Sequence, residues 1–445
     1  MPSVTGVTVP GTGGSTVFVP LSAGTNLTLA QQIAASLNAL SAKGGGALFV
    51  SSMTGGGGAP NPPIGSTGEL LIAGATGGGI SVPQQYSYVV NVDSSPVTIG
   101  ASNQNIISGT VGGTIFDSGA ISVAAGGGNN IVNVSGSGYF AGTGTGNDTL
   151  YGYGAGSLAG GAGTNTYVAG INTSSSNLVF AQGTSDFVAA QAGAVTVASS
   201  GTNAGILGTG ATSLTVFNTG TGTTISAGTA ATTVNNSGGL FFVGGSGSST
   251  IFGTAATGTQ TVVGGTGSMT YFTGATQGTV FGGSVVPTMV GGAGGSVAYF
   301  SNTVGGIFQA GAGNETVNAA QSSKNDTLIG GSDSTGGNYM QAGTGNDQLF
   351  AGAGTATLVG SSSATAQDTF AFFKSTTTGQ SDFILGFTTV DSAFFIGYGS
   401  GQTAATLLAN ASTTGGSTTL TLADNTKVTF VGVSTSTLAG HILSV

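Results

Sequence analysis

Ala342-Gly-Thr-Gly-Asn-Asp347-Gln-Leu349-Phe350 is followed directly by Ala351-Gly-Ala-Gly-Thr-Ala356-Thr-Leu358-Val359. Each nonapeptide reads as a turn of small residues, a polar position, and a short strand with one inward apolar side chain. Glycine at a corner recurring every nine residues suits backbone with φ > 0 and leaves room where a Cβ would not fit. A unit that turns and extends with this period cannot bury its apolar face alone, so it stacks on its neighbours.

The same unit recurs at Ala125–Asn133 around Asn130, Thr143–Tyr151 around Asp148, Gly160–Val168 around Asn165, and Ala310–Asn318 around Glu315. It is shortened at Lys324–Ile329, around Asp326. Between about 170 and 300 the Gly-Gly pairs and short strands persist, but Ser249 and Met269 stand where the acid belongs. At 445 residues the chain exceeds the size of one compact core, and it holds 87 glycines with only 4% charged residues. Disordered chains are usually highly charged and poor in strand formers. This one is rich in Val, Ile and Thr and carries 23 Phe. The expected fold is all-β: a right-handed parallel β-solenoid, with at most about 15 coils across residues 97–365 if coils take about eighteen residues.

Three segments are expected. Residues 1–65 form a small domain with strands at Val7–Val9 and Val17–Val19 and one helix. In that helix Leu29, Ile33, Leu37 and Leu40 fall at helical spacing, Asn26 or Thr28 is the N-cap, and Gly44 is the stop. This domain is expected to cap one solenoid end or to serve in assembly. Residues 66–365 form the solenoid. Residues 366–445 form a β cap that ends in a hairpin turning at Asp424-Asn425.

The repeats match G-G-x-G-x-D-x-U-x, and the chain therefore resembles the RTX (repeats-in-toxin) family of calcium-binding β-rolls exported by type I systems. The segment Asp368-Thr-Phe370-Ala-Phe372 followed by Ser381–Phe387 is similar to that family's closing cap, except that Gly386 replaces its second Asp. The resemblance implies Ca2+ held by turn carbonyls and acidic side chains, since hard oxygen ligands suit that ion. The implied ligands are Asp148, Asp347 and Asp326, then Glu315, Asn130 and Asn165. The competing reading of these residues is a turn side chain bonded to local backbone. The resemblance also implies a type I exporter reading the apolar tail His441–Val445, and an extracellular location without a cleaved N-terminal signal peptide.

Composition narrows the function. The net charge of −9, with four basic residues in all, argues against nucleic-acid binding. No apolar run is long enough for membrane insertion. One histidine and no cysteine leave no HExxH site, conventional Ser-His-Asp triad or thiol nucleophile, so no enzymatic activity is expected. The expectation is a secreted, self-assembling structural protein of a surface layer, filament or biofilm matrix, with itself as partner. The alternative is a secreted adhesin or ligand-binding β-roll with cell-surface polysaccharide as a partner.

Overall fold

The computed structural model describes residues 5–54, 59–74, 78–109, 111–172, 175–253, 255–299, 305–332, 336–374, 378–399 and 401–445. The chain is all-β, a parallel β-solenoid of about 17 turns, with three α-helices among the described residues. It divides into two compact units, Met1–Ala231 and Thr232–Val445.

Each turn contributes one strand to each of two parallel ladders. Register is strict. In unit 1 Ile131 pairs with Thr149, Thr149 with Thr166, and Thr166 with Phe187. In unit 2 Ser249 pairs with Met269, and Met269 with Pro287. Side chains alternate in and out along a strand, so each inward residue stacks on its counterpart one turn away. Val132, Leu150, Tyr167 and Val188 form one such fully buried row.

The solenoid starts earlier than the sequence suggested. Strand β3 (Leu48–Met53) pairs in parallel with β4 (Thr67–Ile72), so the first turn lies inside the segment expected to precede the solenoid. It also continues past 365: Gln348–Ala351 pairs with Thr369–Phe373, which pairs with Ser392–Ile396. Both extensions raise the turn count above the expected 15. Closure comes only at the antiparallel hairpin of Ser417–Thr421 and Lys427–Phe430, which turns at Asn425 with φ +63°.

The N-terminal elements are a hairpin, β1 (Gly6–Pro10) and β2 (Thr16–Pro20), and the helix α1 (Thr25–Ala42). Their apolar faces cover a flank, and neither strand of the hairpin pairs with the end strand β3. Val7, Val9, Val19, Leu29, Ile33 and Leu37 form one core with Leu71, Val90, Ile107 and Ala124, an outward-facing row of one ladder. That row is apolar because α1 lies on it. The helix N-cap is Gly24 at φ +148° and accepts no side-chain cap. Asn26 instead donates from Nδ2 to the Ala125 carbonyl, 3.1 Å away, and ties the helix to the solenoid. Gly44, at φ +64°, ends the helix as expected.

The glycines of the deciding stretch are there for space. Gly343 and Gly345 do not take positive φ. A Cβ on them would sit 2.6 Å from the Ser322 carbonyl oxygen and 2.4 Å from the Lys324 carbonyl, one turn away. Gly146 meets both constraints, with φ +144° and a Cβ 2.1 Å from the Gly128 carbonyl oxygen.

Leu37 is fully buried between α1 and the ladder. Leu37→Ala should therefore destabilise unit 1 by about 2–5 kcal/mol, read as a lower urea midpoint with the β signal in circular dichroism retained.

Candidate metal centre

The polar position of each repeat is the inward residue immediately before a strand. In unit 1 Asn130, Asp148, Asn165 and Asp186 stack at that corner, all buried. The Asn130 N–H donates to Asp148 Oδ1 (2.7 Å), the Asp148 N–H to Asn165 Oδ1 (3.2 Å), and the Asn165 N–H to Asp186 Oδ1 (2.8 Å). Amide and carboxylate alternate, so each Asn also donates from its side chain. Asn130 Nδ2 reaches Asp148 Oδ1 at 2.9 Å and the Gly126 and Gly128 carbonyls at 3.2 and 3.0 Å. Asn165 Nδ2 reaches Asp186 Oδ1 and the Gly161 carbonyl, both at 3.0 Å.

Unit 2 builds a corner of the same kind, before the strands of the other ladder, from acids alone. Asp326, Asp347, Asp368 and Asp391 precede paired strands and are buried. The Asp326 N–H donates to Asp347 Oδ1 (2.6 Å), the Asp347 N–H to Asp368 Oδ1 (3.0 Å), and the Asp368 N–H to Asp391 Oδ1 (2.8 Å). The second oxygens accept from their own turns: Gly343 N–H to Asp347 (2.6 Å), Ser361 N–H to Asp368 (2.6 Å) and Thr388 N–H to Asp391 (2.7 Å). Glu315 lies on the other ladder, where it accepts from Gly311 N–H (3.1 Å) and from the Asn338 amide (2.8 Å). The six expected residues thus fall at three separate corners. Among the described residues no three His, Cys, Asp or Glu side chains converge on one point.

These contacts test whether the residues fit calcium, which takes six to eight oxygens. At Asn130 and Asn165 the converging oxygens already surround an amide nitrogen, a neutral donor standing where a cation would. At Asp347 both oxygens meet backbone N–H groups, whose positive ends point at any approaching ion. These three positions do not fit a calcium cage, and Glu315 is bonded in the same way. Asp326 and Asp148 differ. Both carboxylate oxygens of Asp326 and Oδ2 of Asp148 are buried without a hydrogen bond. Ser322 and the Gly306 N–H favour ionised Asp326, and Thr143 favours ionised Asp148, but none of them bonds with good geometry.

Burial is the main force on Asp148, Asp186, Asp326, Asp347 and Asp368 and pushes each of them upward. Asp326 is pushed up to about 7, with the Asp347 charge adding to the rise. Asp368 reaches about 6, burial outweighing the N–H groups of Asp347 and Ser361, and the charges of Asp347 and Asp391 add to it. Asp148, Asp186 and Asp347 are raised for the same reason. Stacked carboxylates about 5 Å apart repel by about 3 kcal/mol at an effective dielectric constant of ~20. Unit 1 relieves this by interposing amides; in unit 2 the repulsion adds to the upward shift of Asp326 and Asp368.

The sequence reading missed Asp186, Asp368 and Asp391. All three carry the second half of the motif: Asp186-Phe-Val188-Ala, Asp368-Thr-Phe370-Ala and Asp391-Ser-Ala393-Phe. An acid two residues before an inward apolar side chain was the available signal; the glycines were not. In the 249–287 region Ser249, Met269 and Pro287 occupy the corresponding corner, all buried, so the geometry persists without acids.

No protein-family model matches the chain, and no curated protein matches it. The RTX resemblance therefore rests on the motif residues alone.

The raised values set a pH dependence. An acid whose folded pKa is raised binds more protons folded than unfolded, so stability is greatest below the unfolded value of about 4 and is lost as pH rises through the folded value. With Asp368 at about 6 and Asp326 at about 7, the melting temperature should fall between pH 4 and pH 7 and then level off. Asp326→Asn should flatten that slope and raise the melting temperature at pH 8, as followed by calorimetry.

Proposed function

We propose that this chain is a secreted, self-assembling structural protein of a surface layer, filament or biofilm matrix. The observation that carries the reading is a gap in charge: no Asp, Glu, Lys, Arg or His lies between Asp186 and Glu315. Across that span the outward rows are threonine and apolar residues in register. Thr250, Thr270 and Thr288 run beside Phe252, Phe272 and Val290, and on the other ladder Thr261 and Thr279 run beside Val263, Phe281 and Tyr299. Phe252 stacks on Phe272 at 5.2 Å and Phe281 on Tyr299 at 5.1 Å, near parallel. The rings spend their faces on each other and present edges outward. A flat, uncharged, repeating surface of this kind suits dry contact with its own likeness, where almost no charge opposes approach.

Export belongs to the same proposal. The tail strand Ile442–Ser444 pairs with Ser392–Ile396, so an address read there by a type I exporter is read before that strand docks. Calcium enters it only through Asp326 and Asp148, whose unpartnered oxygens suit a cation; bound there, it would neutralise buried carboxylates.

The second reading, a secreted adhesin for cell-surface polysaccharide, is favoured by one feature. Phe116, Asn133, Ser118, Ser135 and Tyr153 line a hollow of about 380 Å³, with Phe116 and Tyr153 half exposed.

Sedimentation and electron microscopy separate the two. Purified protein should form large ordered assemblies with rising concentration, and Phe281→Lys with Tyr299→Lys should raise the onset about tenfold or more. Protein that stays monomeric at high concentration while binding polysaccharide would transfer the case to the adhesin. For calcium, the expected outcome is a rise in melting temperature with Ca2+ that disappears in Asp148→Asn with Asp326→Asn and survives Asn130→Ala.

A further inference from the structure

The first strand of the solenoid, β3, is paired on one side only. Thr67 N–H donates to the Ala47 carbonyl (2.9 Å) and Ala73 N–H to the Met53 carbonyl (3.1 Å). In a parallel pair, alternate residues turn both backbone groups the same way. Residues 47, 49, 51 and 53 thus face β4, and Leu48, Val50 and Ser52 face away. No strand among the described residues pairs with that second side.

Edges are normally guarded by lysine, proline, a bulge or short length. Leu48-Phe-Val-Ser-Ser-Met53 is six residues long and has none of these guards. The prolines sit in the return turn instead, at Pro60, Pro62 and Pro63, and Lys43 is the sole charged residue between Thr5 and Thr54. Beside the bare edge lies a cleft of about 440 Å³ between the hairpin tip Gly11–Thr16, the α1 end at Asn38 and Ala42, and Leu48 and Val50. The backbone groups call for a strand, and the uncharged cleft accepts its side chains.

Among its described residues unit 2 offers no matching edge for head-to-tail addition. One of its ladders closes in the antiparallel hairpin, and the other ends in Ile442–Ser444, a strand of three residues. The occupant that fits is another β3, since two such edges carry almost no charge to repel each other. We propose that two copies of this chain join β3 to β3, antiparallel about a twofold axis, with Val50 opposite Val50 of the partner subunit. An isologous contact closes on itself, so the joint yields a dimer rather than a growing filament, and larger assembly proceeds through the outward rows. The inference rests on the self-assembly reading and names its first joint.

The chain has no cysteine, which makes the test direct. Val50→Cys places the new thiols across the twofold axis at a spacing a disulfide can bridge. Mild oxidation of this variant at low protein concentration should give a covalent dimer, whereas a cysteine at the exposed position Thr8 should leave monomer. Val50→Pro removes an N–H that β4 does not use, so folding is retained by circular dichroism and the dimer dissociation constant rises about tenfold or more. Leu48→Lys, which guards the edge, should act in the same direction. Absence of the Val50→Cys dimer, or unchanged dimer affinity in both other variants, overturns the joint. If large assemblies still form, the self-assembly reading survives that result; if the wild-type protein is monomeric throughout, both fall.

Discussion

Parallel, in-register stacking is the constraint on which everything else rests. Each turn saturates its N–H and C=O groups with the turns before and after it, so equivalent residues must lie one above another. What a row contains then decides what it does. Inward apolar rows such as Val132, Leu150, Tyr167 and Val188 build the core. Outward rows of threonine and aromatic residues build flat faces. Buried corner rows must satisfy polar atoms away from water, where an unpaired one costs about 1–3 kcal/mol.

The corners show two solutions to one problem. Side chains that only accept hydrogen bonds suit a row of N–H donors, but stacking four acids concentrates charge. Unit 1 interleaves Asn with Asp, and the amide supplies a donor for the carboxylate beside it and for the glycine carbonyls below. Unit 2 stacks Asp326, Asp347, Asp368 and Asp391 without interruption; burial raises the proton affinity of Asp326, Asp347 and Asp368, and neighbouring charge adds to it at Asp326 and Asp368. The G-G-x-G-x-D-x-U-x pattern therefore describes two separable things. The glycines make room for a neighbouring turn, and the acid closes a hydrogen-bonded ladder whether or not a cation is present.

Much of this was legible in the sequence. The nonapeptides, the absence of acids around Ser249 and Met269, the helix face of Leu29, Ile33 and Leu37, and the final turn at Asn425 follow from local chemistry. The start of the solenoid was hidden because Gly- and Pro-rich residues interrupt the sequence between β3 and β4. The seat of the N-terminal domain left a sign that was not used. Leu70-Leu71-Ile72, Val89-Val90 and Ile106-Ile107 are continuous apolar runs, and strands buried on both faces read that way. Asn26 was read as a cap because it precedes a helix; its partner, the Ala125 carbonyl, lies 99 residues on, a distance no local rule spans.

The central claim, that burial in a stacked ladder raises the proton affinity of the unit 2 corner acids Asp326 and Asp368, is tested most directly by carbon-13 NMR titration of the aspartate carboxyl groups in calcium-free protein. The account predicts midpoints near 7 for Asp326 and near 6 for Asp368. Midpoints for both near 4, the ordinary carboxylate value, would contradict it.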